Sequence, residues 1–159
     1  MRQITPQDIA ELSEAAAASP RRRANLNLHA QLDDPVQRLA IAMEPDTVVL
    51  PHRHPHTWEL LFPLRGRFVV LFFDDTGTVT QRSLLGEDVS LIELPPGQWH
   101  AVLSKDPGAV IFEVKQGPYT PLAKHDLQPW AANATSDETQ RLLAWYDRAQ
   151  PGGQFVTSR

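Results

Sequence analysis

Between Val36 and Phe112 turn residues recur roughly every ten positions, and no helical period intervenes. Glu44-Pro45-Asp46, Gly66, Asp74-Asp75-Thr76-Gly77, Pro95-Pro96-Gly97 and Asp106-Pro107-Gly108 separate short apolar runs. These runs are VQRLAIAM, TVVL, WELLFPL, RFVVLFF, TVTQRSLL, VSLIEL, WHAVL and AVIFEVK. Strands at this spacing predict an all-β sandwich or barrel, because a parallel sheet needs helices between its strands. In RFVVLFF, Phe68, Val70 and Phe72 alternate with Val69, Leu71 and Phe73, so both faces need cover. One face can fill a barrel. The other requires a second sheet, a terminal helix or a partner chain, and a homodimer is expected.

The flanks read differently. Thr5, Pro6 and Asp8 form a helix start with a cap, a first-turn proline and a reciprocal acid, and Ile4 and Ile9 are placed for a hydrophobic staple. That helix should fade near Ser19-Pro20, because a residue before proline avoids the helical region. In RANLNLHA, polar Arg23, Asn25, Asn27 and His29 alternate with Ala24, Leu26, Leu28 and Ala30, which is strand spacing. The polar face either meets water as an edge or lines a pocket. After an irregular proline-containing arm, Ser136 is expected to cap a short helix with Asp137 and Glu138 in its first turn. Leu142, Leu143, Trp145 and Tyr146 give that helix an apolar flank. The expected organisation is an N-terminal helix and covering strand over 1–30, a barrel over 31–118, and an arm, short helix and mobile tail over 119–159.

Charge and composition narrow the function. A formal net charge of -4 offers no basic face for nucleic acid, and the Arg21 to Arg23 run reads as a solvated connector. No stretch approaches the ~20 apolar residues that span a bilayer, and no signal core opens the chain, so a soluble, cytoplasmic protein without membrane or nucleic-acid partners is expected. With no cysteine, any metal site must use imidazole and oxygen ligands.

Half of the six histidines crowd into PHRHPHTWE. His52 and His54, two apart, point to the same side of an extended chain. Glu59 follows on the next strand, and His100 comes directly after the Pro95-Pro96-Gly97 turn. Together they could converge on a divalent cation such as zinc, iron, manganese, nickel or copper. A histidine facing a barrel interior is more often a hydrogen-bonded core residue, and a surface His-Pro-His stretch can bind metal adventitiously. Spacing alone leaves these alternatives open.

These residues resemble the cupins. The first cupin motif, His-x-His, three or four residues, Glu, six residues, Gly, is matched by His52, His54, Glu59 and Gly66. The second, Pro-x-Gly-x-x-His, is matched by Pro95, Gly97 and His100. The resemblance implies an all-β cupin-type double-stranded β-helix, a jelly-roll barrel with short N- and C-terminal helices. It makes His52, His54, Glu59 and His100 the ligands of one divalent transition metal ion per chain. Asp46, Val89 and Ser104 stand where the motifs carry glycine, glycine and asparagine, which bears on loop geometry rather than on the ligands. His56 has no place in the motif and reads as a solvated rim residue.

The segments RRRANLNLH, PHRHPHTWE, LRG, FDDTG, PPGQWH, FEVKQGPY and PWA are also similar to the WbuC-type cupin metalloproteins, over about Arg21 to Ala131. That family occurs among genes for bacterial surface polysaccharide and carries no settled reaction. The resemblance turns Asn25 and His29 inward and adds Glu113 and Tyr119 as residues for a small polar ligand, a sugar or sugar derivative. Three functions fit: a Lewis-acid isomerase or epimerase, an iron(II) dioxygenase, or a non-enzymatic protein in which the metal is structural or marks a saccharide pocket.

Overall fold

The computed structural model describes residues 1–157. Its elements are α1 (Pro6–Ala18), β1 (Arg23–Asn27), β2 (Val36–Met43), β3 (Glu59–Arg65), β4 (Phe68–Phe73), β5 (Val79–Leu85), β6 (Ile92–Leu94), β7 (Trp99–Ser104), β8 (Ala109–Gln116), a 3-10 turn at Lys124–Asp126, and α2 (Ser136–Arg148). The strands form a five-stranded sheet, β1-β2-β8-β3-β6, and a three-stranded sheet, β5-β4-β7. Every strand pairing is antiparallel, as the turn spacing predicts.

Between the sheets lies a core that includes Met43, Leu61, Phe68, Val70, Phe72, Leu85, Ile92, Val102 and Ile111. The opposite face of β4 is covered within the same chain. Val69, Leu71 and Phe73 pack with Ala101 and Leu103 of β7 and with Leu142 and Tyr146 of α2. Tyr146 is fully buried and its hydroxyl donates to the Val49 carbonyl at 3.1 Å. The apolar face that led to the expectation of a homodimer is thus met by a terminal helix. Helix α1 covers the five-stranded sheet with Leu12 and Ala16 against Ala40, Ala42 and Val110, and both staple isoleucines join that cluster.

Three local expectations are corrected. TVVL is not a ladder strand: Thr47 is tied to Arg22 through its side chain, and the Val49 carbonyl is taken by Tyr146. The cap of α2 is Thr135, one residue before Ser136, in a reciprocal box with Glu138 that satisfies two end groups. The segment read as a mobile tail lies along β5, where Gly152 N–H donates to the Val79 carbonyl and Val79 N–H to the Gly153 carbonyl. Phe155 packs there against Trp130 and Trp145. Ser158 and Arg159 of that tail lie outside the described residues.

The hairpin from β3 to β4 depends on Gly66. Its φ is +74°, and a Cβ there would stand 2.7 Å from Ala109 Cβ. Gly97, with φ +81°, has nothing within 4 Å of such a Cβ. Gly66→Ala is therefore expected to cost about 2–4 kcal/mol, combining left-handed strain with a clash, and Gly97→Ala about 1–2 kcal/mol from the backbone alone. Urea unfolding of the two variants measures the difference, and equal losses would contradict it.

Next to Gly66, Arg67 grips Asp106 with Nε at 3.0 Å and a terminal nitrogen at 2.8 Å, and its backbone N–H donates to the same carboxylate at 2.9 Å. The guanidinium hydrogen bonds hold the Asp106 carboxyl below its ordinary value. A depressed folded pKa stabilises above the unfolded pKa, and the contribution disappears as pH falls through the folded value. The pair is partly exposed, so Asp106→Asn should cost about 1 kcal/mol at neutral pH. The gap from wild type should close below about pH 4. Denaturant midpoints measured down that pH range check the sign.

Candidate metal centre

The first motif reaches the barrel through a backbone exchange. His52 N–H donates to the His100 carbonyl and His100 N–H to the His52 carbonyl, each at 2.9 Å, so the His52 segment adds to the free edge of β7. Gly97 N–H donates to the His54 carbonyl at 2.8 Å, fastening the second motif's turn to the first motif. On β7 the residues alternate, with Trp99, Ala101 and Leu103 in the outer cluster and Val102 in the inner core. His100 shares the inward face.

The ring centroids of His52 and His100 lie 4.3 Å apart, and those of His52 and His54 5.1 Å. Each of the three histidines offers a ligand atom, and those atoms all lie within 4.8 Å of one another. Two tautomers are set by backbone carbonyls, which only accept. His52 Nδ1 donates to Leu50 O at 2.8 Å and His100 Nδ1 to Gln98 O at 3.0 Å, which leaves Nε2 as the ligand atom of each neutral ring. Glu59 opens β3 between Leu94 of β6 and Lys115 of β8. Its carboxylate oxygens sit 3.1 Å from His100 Nε2 and 3.3 Å from His54 Nε2.

Electrostatics fit a cation at this point. Burial, then the neighbouring His100 and His54, push His52 down to about 3, so its ring stays neutral and able to ligate. Burial also lowers His54, against the pull of Glu59. Burial alone would lower His100 and raise Glu59. Their hydrogen bond and mutual charge attraction together outweigh it, raising the imidazole, and with the charges of His54 and Lys115 they hold the carboxyl well below the usual range. A buried carboxylate and imidazole sharing a proton are a donor pair that a metal ion can take in the proton's place. The donor set of imidazole and oxygen suits a divalent transition metal.

The histidines open onto a cavity of about 910 Å³. Register places Asn27, Leu39, Glu113 and Leu61 in one row across β1, β2, β8 and β3, and Gln37, Lys115 and Glu59 in the next. The sequence did not settle which way β1 or Glu113 faced. Asn25, Asn27, His29 and Glu113 all line the cavity, and Asn25 donates to Asn27 at 2.7 Å. His29 is buried, its Nδ1 lies 3.0 Å from both the backbone nitrogen and the carbonyl oxygen of Arg38, and its Nε2 has no hydrogen-bond partner among the described residues. Tyr119, half exposed, stands at the rim, and exposed His56 lies outside the three-histidine group.

Lys115 was missed by the sequence reading, although it lies two residues beyond Glu113 and so on the same strand face. Its Nζ is 2.7 Å from Glu113 Oε1 and 3.6 Å from Glu59 Oε1. At that distance Lys115 and Glu113 form a close, charge-assisted pair. Burial raises the Glu113 carboxyl, with Lys115 opposing, while both carboxylates raise Lys115 against its own burial. Arg21 and Arg23, read as solvated connector, also line the cavity. The period-two pattern that set Asn25 and His29 on one face already included Arg23.

A family model described as a domain of unknown function, DUF6016, matches residues 4–85, just over half of the chain, including the first motif. The chain belongs to the DUF6016 family. Solved structures share its fold with this DUF6016 chain. KdgF from Halomonas sp. aligns over 65% of this chain and 85% of its own at 14% identity, TM-score 0.51. A cupin superfamily protein from Desulfitobacterium hafniense DCB-2 aligns over 66% and 86% at 18% identity, TM-score 0.50. CapF, solved with the inhibitor 3-isopropenyl-tropolone, aligns over 65% of this chain but 30% of its own, at 15% identity and TM-score 0.51. At these identities the likeness is one of fold, and that fold is the cupin barrel. No curated protein matches the sequence. No helix among the described residues is long and apolar enough to cross a membrane.

The three-histidine geometry makes a direct prediction. Tag-free protein should carry close to one divalent ion per chain by elemental analysis. His54→Ala should lose it, and His56→Ala should keep it. Equal metal in both variants would assign the ion to the surface rather than to the barrel.

Proposed function

We propose that this chain is a divalent-metal-binding cupin whose pocket takes a small polar molecule, a sugar or sugar derivative, and isomerises or epimerises it. One observation carries the reading: the three clustered imidazoles share a single large cavity with Asn25, Asn27, Glu113 and Lys115. A divalent ion held by His52, His54 and His100, with Glu59 beside them, would supply Lewis acidity toward a carbonyl or hydroxyl oxygen.

The chain's own groups do the rest. Glu113, whose largely buried carboxylate lines the cavity beside Lys115, is the group that takes a proton from a substrate carbon and returns it. Lys115, between Glu113 and Glu59, offsets the negative charge that this transfer creates. The Asn25 and Asn27 carboxamides orient hydroxyl groups, and Tyr119 closes the rim. A purely structural metal fits less well, because the cavity reaches all three histidines. The tropolone inhibitor of CapF, with adjacent carbonyl and hydroxyl oxygens, has the paired-oxygen chemistry expected of a ligand here. The likeness of the accessory segments to the WbuC-type proteins supports a substrate from surface-polysaccharide metabolism.

The test is incubation of the metal-loaded protein with a panel of reducing sugars and uronates in deuterated water without oxygen, followed by NMR. The expected result is deuterium at a carbon next to a carbonyl, abolished in His54→Ala and reduced at least about a hundredfold in Glu113→Gln. Turnover only with oxygen and iron would favour the dioxygenase instead. Binding without any exchange would favour a non-catalytic pocket.

A further inference from the structure

In and beside the cavity, several cations face a carboxylate. Lys115 faces Glu113 and Glu59, Arg53 faces Asp126 at 3.4 Å, and Arg22, just outside, faces Asp46 at 3.0 Å. Arg21 and Arg23 are different. Both line the cavity, and among the described residues no carboxylate lies within ion-pair distance of either. Arg23 is partly buried, and its guanidinium feels first the cost of that burial and then the like charge of Arg21, with Glu113 and Tyr119 only partly opposing. An arginine cannot relieve such a position by losing its proton.

The chain holds this arrangement at the expense of its backbone. Arg22 has φ +54°, making it the only non-glycine residue of positive φ among the described residues. Its conformation is fixed by Arg22 N–H to the Ser19 carbonyl, by Glu44 N–H to the Arg22 carbonyl and by the Asp46 pair. The kink turns Arg22 outward to the Glu44 and Asp46 side and leaves Arg21 and Arg23 on the cavity side. Left-handed strain at a non-glycine residue persists where the surroundings over-determine it, and it concentrates at ligand sites.

Resting on the reading above, we propose that the ligand of this pocket is acidic: a polyhydroxy compound whose carboxylate or phosphate is held by the Arg23 guanidinium, with Arg21 at the rim. Its hydroxyl groups meet Asn25 and Asn27, which can both donate and accept, and the remainder extends toward Glu113 and the histidines. A planar guanidinium suits either acid, because both present two oxygens to its fork.

Titration calorimetry on metal-loaded protein tests this with glucuronate and glucose 6-phosphate against neutral glucose, in wild type and Arg23→Gln. At least one acidic probe should bind about tenfold or more tighter than glucose to wild type. Arg23→Gln should erase that preference while leaving glucose binding and metal content unchanged. The relative strength of the two acidic probes separates carboxylate from phosphate. Equal binding of acidic and neutral probes, failure of all three at millimolar concentration, or a preference that survives Arg23→Gln and so belongs to the metal, each overturns the inference. Intact metal in wild type confines such a failure to this proposal. Metal absent from wild type would instead remove the reading beneath it.

Discussion

The reciprocal backbone pair between His52 and His100 is the interaction on which the site depends. Two N–H to carbonyl bonds of 2.9 Å fix the first motif against β7, and the ring separations follow from that register. A slip of one residue would turn His52 away from His100, because side chains alternate across an extended chain. The same backbone sets the rings' chemistry. Carbonyls two residues upstream of His52 and of His100 hold their Nδ1 protons, so orientation and tautomer come from the strand itself.

The barrel interior is graded along its strands. Inward residues of β8 run Ala109, Ile111, Glu113, Lys115, and those of β2, read in the matching direction, run Met43, Ile41, Leu39, Gln37. On β7 the inward Val102 precedes the motif's His100 in the same direction. One end is closed by a dry core containing Phe68, Leu85 and Ala109, and the other gathers the charged and imidazole groups. Helices α1 and α2 cover the outer faces, so the polar end can stay open without exposing an apolar sheet. Burial favours the neutral form of both carboxyls: at Glu59 the hydrogen bond and charge of His100, with His54 and Lys115, overcome it, whereas at Glu113 burial prevails over Lys115.

The strands of the fold were legible because period two and turn chemistry are local signals. VQRLAIAM became β2 residue for residue, and the two-faced β4 divided its side chains as its alternation required. The clustering of the three histidines was expected from the resemblance to the two cupin motifs, because spacing alone left a core or surface role open. What was not legible depended on tertiary partners. TVVL has a strand composition, yet its position in the fold is set by Tyr146, nearly a hundred residues away. The direction in which RANLNLH faced could not be read from an amphipathic strand, since either face can meet water. Lys115 and Arg23 were hidden for a different reason. A cation two residues from a known site residue looks like ordinary surface until the strand is known to face inward.

The histidine loop itself has little regular structure between Glu44 and Trp58, so its precision has to come from cross-links. The arm after β8 supplies several of them. Leu127 forms a bridge with His52, Gln128 N–H donates to the Pro51 carbonyl, and Arg53 N–H donates to the Asp126 carbonyl. The Arg53 guanidinium, between the two motif histidines in sequence, meets Asp126 and lies 4.5 Å from the Trp99 ring centroid. Trp99 in turn donates to Asp75 in the β4–β5 turn at 2.9 Å, and Gln128 Nε2 donates to the neighbouring Asp74 carbonyl at 3.0 Å. The site is therefore clamped between the second motif and a segment that carries no motif residue. Because these links are polar and buried around Asp126 and Gln128, loosening the arm would strand several unsatisfied groups at once, so the arm and the histidine loop hold or fail together.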